Sequence, residues 1–241
     1  MRRARAGDPG ALWIAAWEQT KGRGRQGRVW QSPRGNLSAS LLLIDPAPMA
    51  LAPQLGFVAG VALAQTAAEL LPAPHHAQLK WPNDLVVDGA KLSGLLLEAT
   101  QLPDGRLACV IGFGLNIVQA PDGLPYAATS LQALGSSVSA ELVLERLSAH
   151  MSAWLAHWQR AENFQSVREA WMTHAAGLDS TIRVNTGTED RSGYFRGIDA
   201  AGQMILETQS GRETVAAGDV FLLTAQPEQS ARDDQVIDGN G

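Results

Sequence analysis

"LKWPNDLVVDGAKLSGLLLEA", residues 79–99, determines the expected fold more than any other stretch of the chain. Its apolar segments are separated by a Pro-Asn turn at 82–83 and by an Asp-Gly turn at 88–89. Asp-Gly between apolar segments is a strong signal for a tight hairpin, and Pro-Asn is a common turn pair. The stretch therefore predicts three consecutive strands joined by short turns.

Neighbouring segments extend this sheet and add helices. Residues 36–44 and 106–117 alternate or run apolar and each predict a strand, and residues 11–17 predict a short buried strand. Residues 50–71 have helical spacing and are followed by prolines, and residues 139–176 are mostly helical in pattern. Together these segments predict an α+β fold with a mixed, mainly antiparallel sheet.

The sequence changes character at Gly177. Between 181 and 223, short alternating segments are separated by glycine-containing turns, which is typical of a small antiparallel barrel or sandwich. We therefore expect a first domain at 1–176 and a small β domain at 177–225. The polar segment 226–241 is expected to be a disordered tail.

The composition indicates a globular protein. The 241 residues are 45% apolar and 18% charged, with a net charge of -5. These values exclude a disordered or membrane-embedded chain, and no uninterrupted apolar run approaches the roughly 20 residues of a membrane span. The net negative charge argues against general nucleic-acid binding. A single cysteine excludes an internal disulfide and fits a cytoplasmic location. From the apolar runs and the net charge, we expect no membrane or DNA partner.

The stretch "QTKGRGRQGRVW" (19–30) places a basic, glycine-rich loop on this acidic protein. Glycines let backbone N–H groups approach an anion, and arginines offer forked donors that suit carboxylate or phosphate. The glycines match a dinucleotide fingerprint, but "RVWQSPRGN" (28–36) cannot supply the helix that such a fold requires. An anion-binding loop, a nucleic-acid arm and a solvated surface run all remain possible from these residues.

"KWPND" (80–84) is a second candidate site. Lys80 ends an apolar segment, and Asn83 and Asp84 form a polar pair at the turn. A carboxylate beside a lysine can hold Mg²⁺ while the lysine balances phosphate charge, although a plain surface turn is the alternative.

Three further residues carry weaker signals. Lys91 begins an otherwise apolar strand, and Gly94 inside that strand indicates close approach of a ligand or backbone. Asn116 follows "GFGL" and has a donor and an acceptor that suit a base edge. Each could equally be an ordinary strand residue.

The order of these motifs, rather than any one of them, resembles the biotin–protein ligase family over residues 11–222. The motifs are "GRGRQGRVW", "GNLSAS", "KWPNDL", "KLSGLLLEA" and "GFGLN", followed by a small β unit ending in "AAGDV". The resemblance implies a class II synthetase-like catalytic domain and a C-terminal SH3-like β-barrel. Lipoate ligases share that fold but not the glycine–arginine loop, so they are the weaker alternative.

The resemblance also implies a reaction in two steps. Biotin and ATP give biotinyl-5′-AMP with Mg²⁺ present, and the biotinyl group then passes to a lysine of a carrier protein. The carrier would be the biotin carboxyl carrier domain of acetyl-CoA carboxylase or a similar carboxylase, and a homodimer is possible. A non-catalytic, truncated homologue whose basic loop binds nucleic acid or a partner is the other alternative.

By similarity, residue roles can be assigned. Lys91 and Arg25 would be catalytic. Biotin and the adenylate linkage would be bound by Gln19, Gly22, Arg23, Gly24, Arg25, Lys91 and Gly94. The nucleotide would be bound by Arg28, Trp30, Lys80, Asn83, Asp84 and Asn116, with Trp30 and Asn116 at the adenine and Asp84 on Mg²⁺.

The chain departs from the family pattern in two places. Family members begin with a strand, a Ser-Thr-Asn segment that binds the ureido ring of biotin, and a helix; "MRRARAGDPG" (1–10) looks like the last turns of that helix. We expect that the assigned start codon lies inside the true gene; a shortened protein with a damaged biotin site is the alternative. No helix-turn-helix segment precedes the catalytic part, and Ser38 stands where tyrosine is common.

Overall fold

The computed structural model describes residues 1–223, and its first part is a six-stranded sheet with helices. The strands pair antiparallel in the order β1-β2-β6-β5-β4-β3. The strands are β1 Leu12–Ala15, β2 Leu37–Ile44, β3 Ala77–Lys80, β4 Asp84–Val87, β5 Ala90–Gln101 and β6 Leu107–Leu115. The helices are α1 Arg2–Arg5, α2 Gln54–Leu70, α3 Ala140–Trp158 and α4 Phe164–Thr173. The three strands predicted from residues 79–99 are confirmed as β3, β4 and β5.

Helix α2 forms the centre of the core and packs against α3, α4 and the sheet. The helical segment Met49–Leu70 is 22 residues long with a mean hydropathy of 1.3, which by composition would suit a membrane span. Buried residues make up 67% of its most apolar window, as expected for a core helix. Polar residues such as Gln54 and Gln65 interrupt this segment, so it contains no uninterrupted apolar run of about 20 residues although its mean hydropathy suits a span. The two glutamines accept hydrogen bonds from Trp158 and Trp154 at 2.9 and 2.8 Å.

A second antiparallel sheet follows α4. Its strands are β7 Thr181–Asn185, β8 Asp190–Ile198, β9 Met204–Thr208, β10 Gly211–Val215 and β11 Asp219–Leu222. They pair in the order β10-β9-β8-β7-β11, so the chain crosses from one edge of the sheet to the other after β10. Among the described residues β10 and β11 do not pair, and the expected SH3-like β unit is an open sheet rather than a closed barrel.

Two sequence expectations need correction. The strand expected to be buried at 11–17 is β1, which among residues 1–223 pairs only with β2 at the edge of the sheet, and Ile14 is 48% exposed. The helical region 139–176 is broken at Gln159–Ala161, where all three residues have positive φ. The tail expected to be disordered, 226–241, lies outside the described residues.

Candidate active site

A cavity of about 700 Å³ lies on the first sheet, between the glycine–arginine loop and the start of β11. Its floor is formed by β2, β5 and β6, and its walls by the loop, the Pro-Asn turn and residues 124–126. A further cavity of about 900 Å³ shares the loop as a wall, but Lys80, Asp84 and Lys91 do not line it. These three charged side chains therefore lie in the cavity of about 700 Å³.

The glycine–arginine loop is a hairpin. Arg23 and Val29 face each other across it, the N–H of Gly24 donates to the carbonyl of Arg28 at 2.7 Å, and Trp30 N–H donates to the Gly22 carbonyl at 3.0 Å. A Cβ on Gly22 would lie 2.2 Å from the carbonyl oxygen of Trp30, so this glycine is required by the hairpin itself. No helix follows the loop, which confirms that the dinucleotide interpretation fails.

The base of this hairpin is fixed by two small polar contacts. Gln19 and Ser32 form an antiparallel bridge, and Ser32 shares a buried hydrogen bond with Ser38. Ser38 is 2% exposed and lies on β2. Ser38 therefore helps to anchor the loop to β2.

The indole ring of Trp30 covers the glycines of the floor. A Cβ built on Gly114 would lie 2.3 Å from Cε2 of Trp30, and one built on Gly94 would lie 3.3 Å from Cζ3. Real Cβ atoms do not approach other atoms to 2.3 Å, so the ring depends on the absence of a side chain at 114. The space above Gly94 is filled by Trp30 in this structure.

Asp84 holds the two lysines of the cavity. Its Oδ1 lies 2.8 Å from Nζ of Lys91, and its Oδ2 lies 3.8 Å from Nζ of Lys80. Burial lowers the pKa of Lys80 and nearby Lys91 also lowers it, whereas Asp84 opposes this shift. The rings of Trp30 and Tyr126 have their centroids 5.7 and 5.5 Å from the Lys91 ammonium, within cation–π range.

The backbone of Lys91 is also fixed. Its N–H donates to the carbonyl of Ala127 at 2.8 Å, and its carbonyl accepts from Thr129 N–H at 2.9 Å. The side chain is 18% exposed. Lys91 is thus held in place from both its main chain and its ammonium.

The loop arginines contact both sheets. Arg25 Nη1 donates to Oδ1 of Asn83 at 3.2 Å and to the carbonyl of Gly218 at 3.3 Å, and it lies 3.9 Å from Asp219 Oδ1. Arg28 forms a closer ion pair with Asp219. The hydrogen bond from Arg28 lowers the pKa of Asp219 although burial opposes the shift.

Most of the sequence-predicted site residues line this one cavity. They are Gln19, Gly22, Arg23, Gly24, Arg25, Arg28, Trp30, Lys80, Asn83, Asp84, Lys91 and Gly94. Arg23 lies near its rim, where its guanidinium is 3.6 Å from Glu98 and its side chain is 69% exposed.

Asn116 does not line the cavity. It is 2% exposed, and its Nδ2 donates to the carbonyl of Thr129 at 3.1 Å. Its Oδ1 accepts no hydrogen bond from any described residue, which leaves one buried acceptor unused. The Asn116 amide therefore contacts Thr129 and is not among the groups that line the cavity.

Sequence reasoning missed Asp219 and Tyr126. Asp219 lies in the "AAGDV" segment that contributed to the resemblance, but it is 191 residues from its partner Arg28, and no local pattern connects them. Tyr126 follows a glycine–proline segment that lacks periodicity. Only the fold brings Tyr126 to Lys91 and Asp219 to the loop.

The described residues contain no group of three or more His, Cys, Asp or Glu side chains that could hold a metal. Mg²⁺ commonly binds one or two carboxylates and takes its remaining ligands from water and substrate phosphates. Asp84 lines the cavity, so its carboxylate fits an ion that arrives with a polyphosphate.

Known protein families match both parts of the chain. The sequence model of the "Biotin/lipoate A/B protein ligase family" matches residues 8–116, and that of the "Biotin protein ligase C terminal domain" matches residues 177–223. The two matches together include every strand of both sheets and helix α2, and they leave out α1, α3 and α4.

Individual relatives match over most of their length. The biotin–[acetyl-CoA-carboxylase] ligase of Paracoccus denitrificans is 36% identical over 88% of this chain and 91% of its own. The enzyme of the same name from Mycobacterium tuberculosis is 32% identical over 92% of this chain and 83% of its own. The structure of the biotin protein ligase from Aquifex aeolicus in complex with biotin and ATP has a TM-score of 0.74, with 28% identity and 88% of each chain covered.

Proposed function

This chain belongs to the biotin–protein ligase family, and we propose that it attaches biotin to a lysine of a carrier protein at the expense of ATP. The reaction passes through biotinyl-5′-AMP. The observation that supports this activity best is that Arg25, Arg28, Lys80 and Lys91 surround one cavity with a glycine floor. Such a cavity suits two anionic reactants that must be brought together.

In the first step, a carboxylate oxygen of biotin attacks the α-phosphorus of ATP. A new O–P bond forms, the bond between the α-phosphorus and the oxygen that bridges to the β-phosphate breaks, and pyrophosphate leaves with that oxygen. Both reactants are anionic, so fixed cations lower the barrier by stabilising the charge that builds up between them. Lys91 is the best-placed group for this role because its backbone is hydrogen-bonded on both sides and its side chain lines the cavity.

Mg²⁺ would neutralise phosphate oxygens when it is bound with ATP, and Asp84 is the residue we propose to hold it. Its carboxylate now contacts both lysines. An arriving triphosphate would attract those lysines and release the carboxylate for the ion. Asn83 supports this arrangement by accepting from Arg25 and donating to the Leu95 carbonyl at 2.6 Å.

We propose that the adenine lies near Trp30 and Tyr126. Both rings flank Lys91, and an adenine base can stack on either aromatic face. The unused Oδ1 of Asn116 suits the exocyclic amine of adenine. Because Asn116 does not line the cavity and its amide is bonded to Thr129, this hydrogen bond requires a rearrangement around Thr129.

In the second step, a carrier lysine amine attacks the acyl carbon of biotinyl-5′-AMP. An amide bond forms, AMP leaves with the bonding electrons, and the amine loses a proton. We propose a biotin carboxyl carrier domain of a carboxylase as the substrate, in line with the names of the relatives. A cytoplasmic location and a homodimer remain part of the same proposal.

Biotin-dependent exchange of labelled pyrophosphate into ATP tests the first step. We expect Lys91→Ala to lower the exchange rate by at least about 100-fold, because it removes a preorganised cation at the reacting groups. Arg106→Ala is the matched control, since this exposed arginine pairs with Asp104 in the hairpin between β5 and β6. Full exchange in Lys91→Ala would contradict its proposed role.

The same assay separates the alternatives. Exchange that depends on lipoate instead of biotin would favour a lipoate ligase. No exchange with either acid, together with salt-sensitive nucleic-acid binding that is lost on Arg23→Ala and Arg25→Ala, would favour a binding protein.

A further inference from the structure

We propose that Asp219, in the second sheet, is a positioning residue that holds the glycine–arginine loop closed over the cavity. This inference rests on the proposed function for its catalytic consequence, but the loop contact itself does not. It assigns to the C-terminal sheet a direct part in the geometry of the site.

Asp219 is the only described carboxylate in contact with the arginines of the loop tip. Arg28 forms its ion pair with Asp219, and Arg25 reaches both Asp219 and the carbonyl of the preceding Gly218. Asp219 is 25% exposed and Arg25 is 24% exposed, so this contact is partly shielded from water. The first residue of β11 and the residue directly before it thus contact two arginines of the loop.

The hairpin hydrogen bonds of the loop set its shape but not its position. They run from Gly24 to Arg28 and from Trp30 to Gly22, all within the loop. Its tip is placed relative to the first sheet by Arg25 and Asn83, and relative to the second sheet by Asp219.

The strand that carries Asp219 offers a rigid support. Asp219 pairs with Asn185 at one end of the β7–β11 ladder. A Cβ on Gly218 would lie 2.7 Å from Cγ1 of Val184, so the backbone at this point packs closely on β7. A carboxylate on such a backbone can fix a mobile loop better than one on another loop.

Charge supports the same role. Because Arg28 lowers the pKa of Asp219, the carboxylate is ionised and the ion pair is intact at neutral pH. Asp219 also lies in a cavity proposed to receive a triphosphate, where it opposes an anion. Loss of the carboxylate would therefore have two opposite effects on ATP binding: it would loosen the loop and it would reduce the repulsion of ATP. The Michaelis constant for ATP combines both effects, so the proposal is tested by measuring the order of the loop.

Hydrogen exchange of the ligand-free protein tests the contact without requiring any activity. In Asp219→Asn we expect the amides of Gly24, Arg28 and Trp30 to exchange about three- to tenfold faster, as fits the loss of a partly exposed charged contact. Amides of β5 and β6 should be unchanged. Asp219→Glu should restore most of the protection, because it returns the carboxylate.

Asp179→Asn is the matched control. Asp179 pairs with Arg196 at 2.8 Å at the second sheet, away from the loop. If Asp219→Asn fails to fold, Arg28→Gln breaks the same pair from the loop side and should loosen the same amides. Unchanged loop exchange in the folded variant, or an equal increase in Asp179→Asn, would overturn the proposal.

Adenylate retention tests the catalytic consequence. With biotin and ATP but no carrier, Asp219→Asn should release or hydrolyse biotinyl-5′-AMP several-fold faster than the unmodified protein, since an open loop admits water. Faster loop exchange with unchanged retention would overturn the role of Asp219 in catalysis. If the unmodified protein forms no adenylate, the proposed function fails while the exchange experiment still decides the loop contact.

Discussion

Gly114→Ala would displace Trp30 from the floor of the cavity. The added Cβ would lie 2.3 Å from Cε2 of Trp30 and 2.5 Å from both Cζ2 and Nε1. Carbon atoms in favourable contact are about 3.5–4.0 Å apart, so the ring must retreat by at least about 1 Å. Gly114 lies in the central strand β6, between β2 and β5, so the loop that carries Trp30 will move rather than the sheet.

A displacement of this size matters more for activity than for stability. A misplacement of about 1 Å near reacting groups can cost about 100-fold in rate. We therefore expect biotin-dependent pyrophosphate exchange by Gly114→Ala to fall by about 30- to 100-fold. The free energy of unfolding, measured by thermal unfolding with circular dichroism, should fall by about 1 kcal/mol or less, because movement of a surface loop relieves the clash.

Gly112→Ala is the control for this substitution. It lies two residues earlier on β6, and its Cβ would be 3.5 Å from the carbonyl oxygen of Leu96, an ordinary contact. Gly94→Ala should be intermediate, since its Cβ would lie 3.3 Å from Trp30. Wild-type exchange in Gly114→Ala, or equal losses at 112 and 114, would refute the assignment of Trp30 to the floor.

Two further predictions concern stability. Asn36→Ala should lower the free energy of unfolding by about 2–4 kcal/mol in urea titrations, because it leaves buried N–H groups without an acceptor. Oδ1 of Asn36 accepts from the N–H groups of Ile117, Val118 and Gln119 at 3.0, 2.9 and 3.3 Å; Asn36→Asp, which keeps this acceptor, should lose less, and equal losses would contradict this reasoning. Arg28 holds the pKa of Asp219 in the folded protein below its ordinary value of 3.8. The ion pair therefore stabilises the protein fully above pH 3.8, and this stabilisation disappears as the pH falls through the pKa of the folded protein. Asp219→Asn should therefore show a smaller loss of stability between about pH 5 and about pH 2, and an unchanged loss would count against the ion pair.

The sheet and the main motifs were predictable because their determinants are local. The Asp-Gly turn at 88–89 and the alternating segments around it specify β3, β4 and β5 through backbone geometry alone. The absence of a helix after the glycine–arginine loop follows equally from Pro33 and Gly35. The depth of a strand was less predictable: residues 11–17 are apolar, but β1 has a neighbour on one side only.

The roles of individual glycines also depended on tertiary contacts. Gly94 was expected to allow close approach of a ligand or backbone, and the group that lies against it is the ring of Trp30. Asn116 was expected at the adenine, yet its amide is buried and bonded to Thr129. Sequence alone identifies these positions as unusual, but the group that fills the space beside them comes from a distant part of the chain.

The sequence by itself determined the order of strands and helices, the motifs of the ligase family and the basic character of the loop. Those properties arise from turn chemistry, side-chain periodicity and residue types within short stretches. Only the tertiary structure decided which charges meet: Asp84 with Lys91, and Asp219 with Arg28 from 191 residues away. Ion pairs depend on distance in space. The chain crosses the second sheet between β10 and β11, and no local sequence pattern predicts that this crossing brings β11 to the loop.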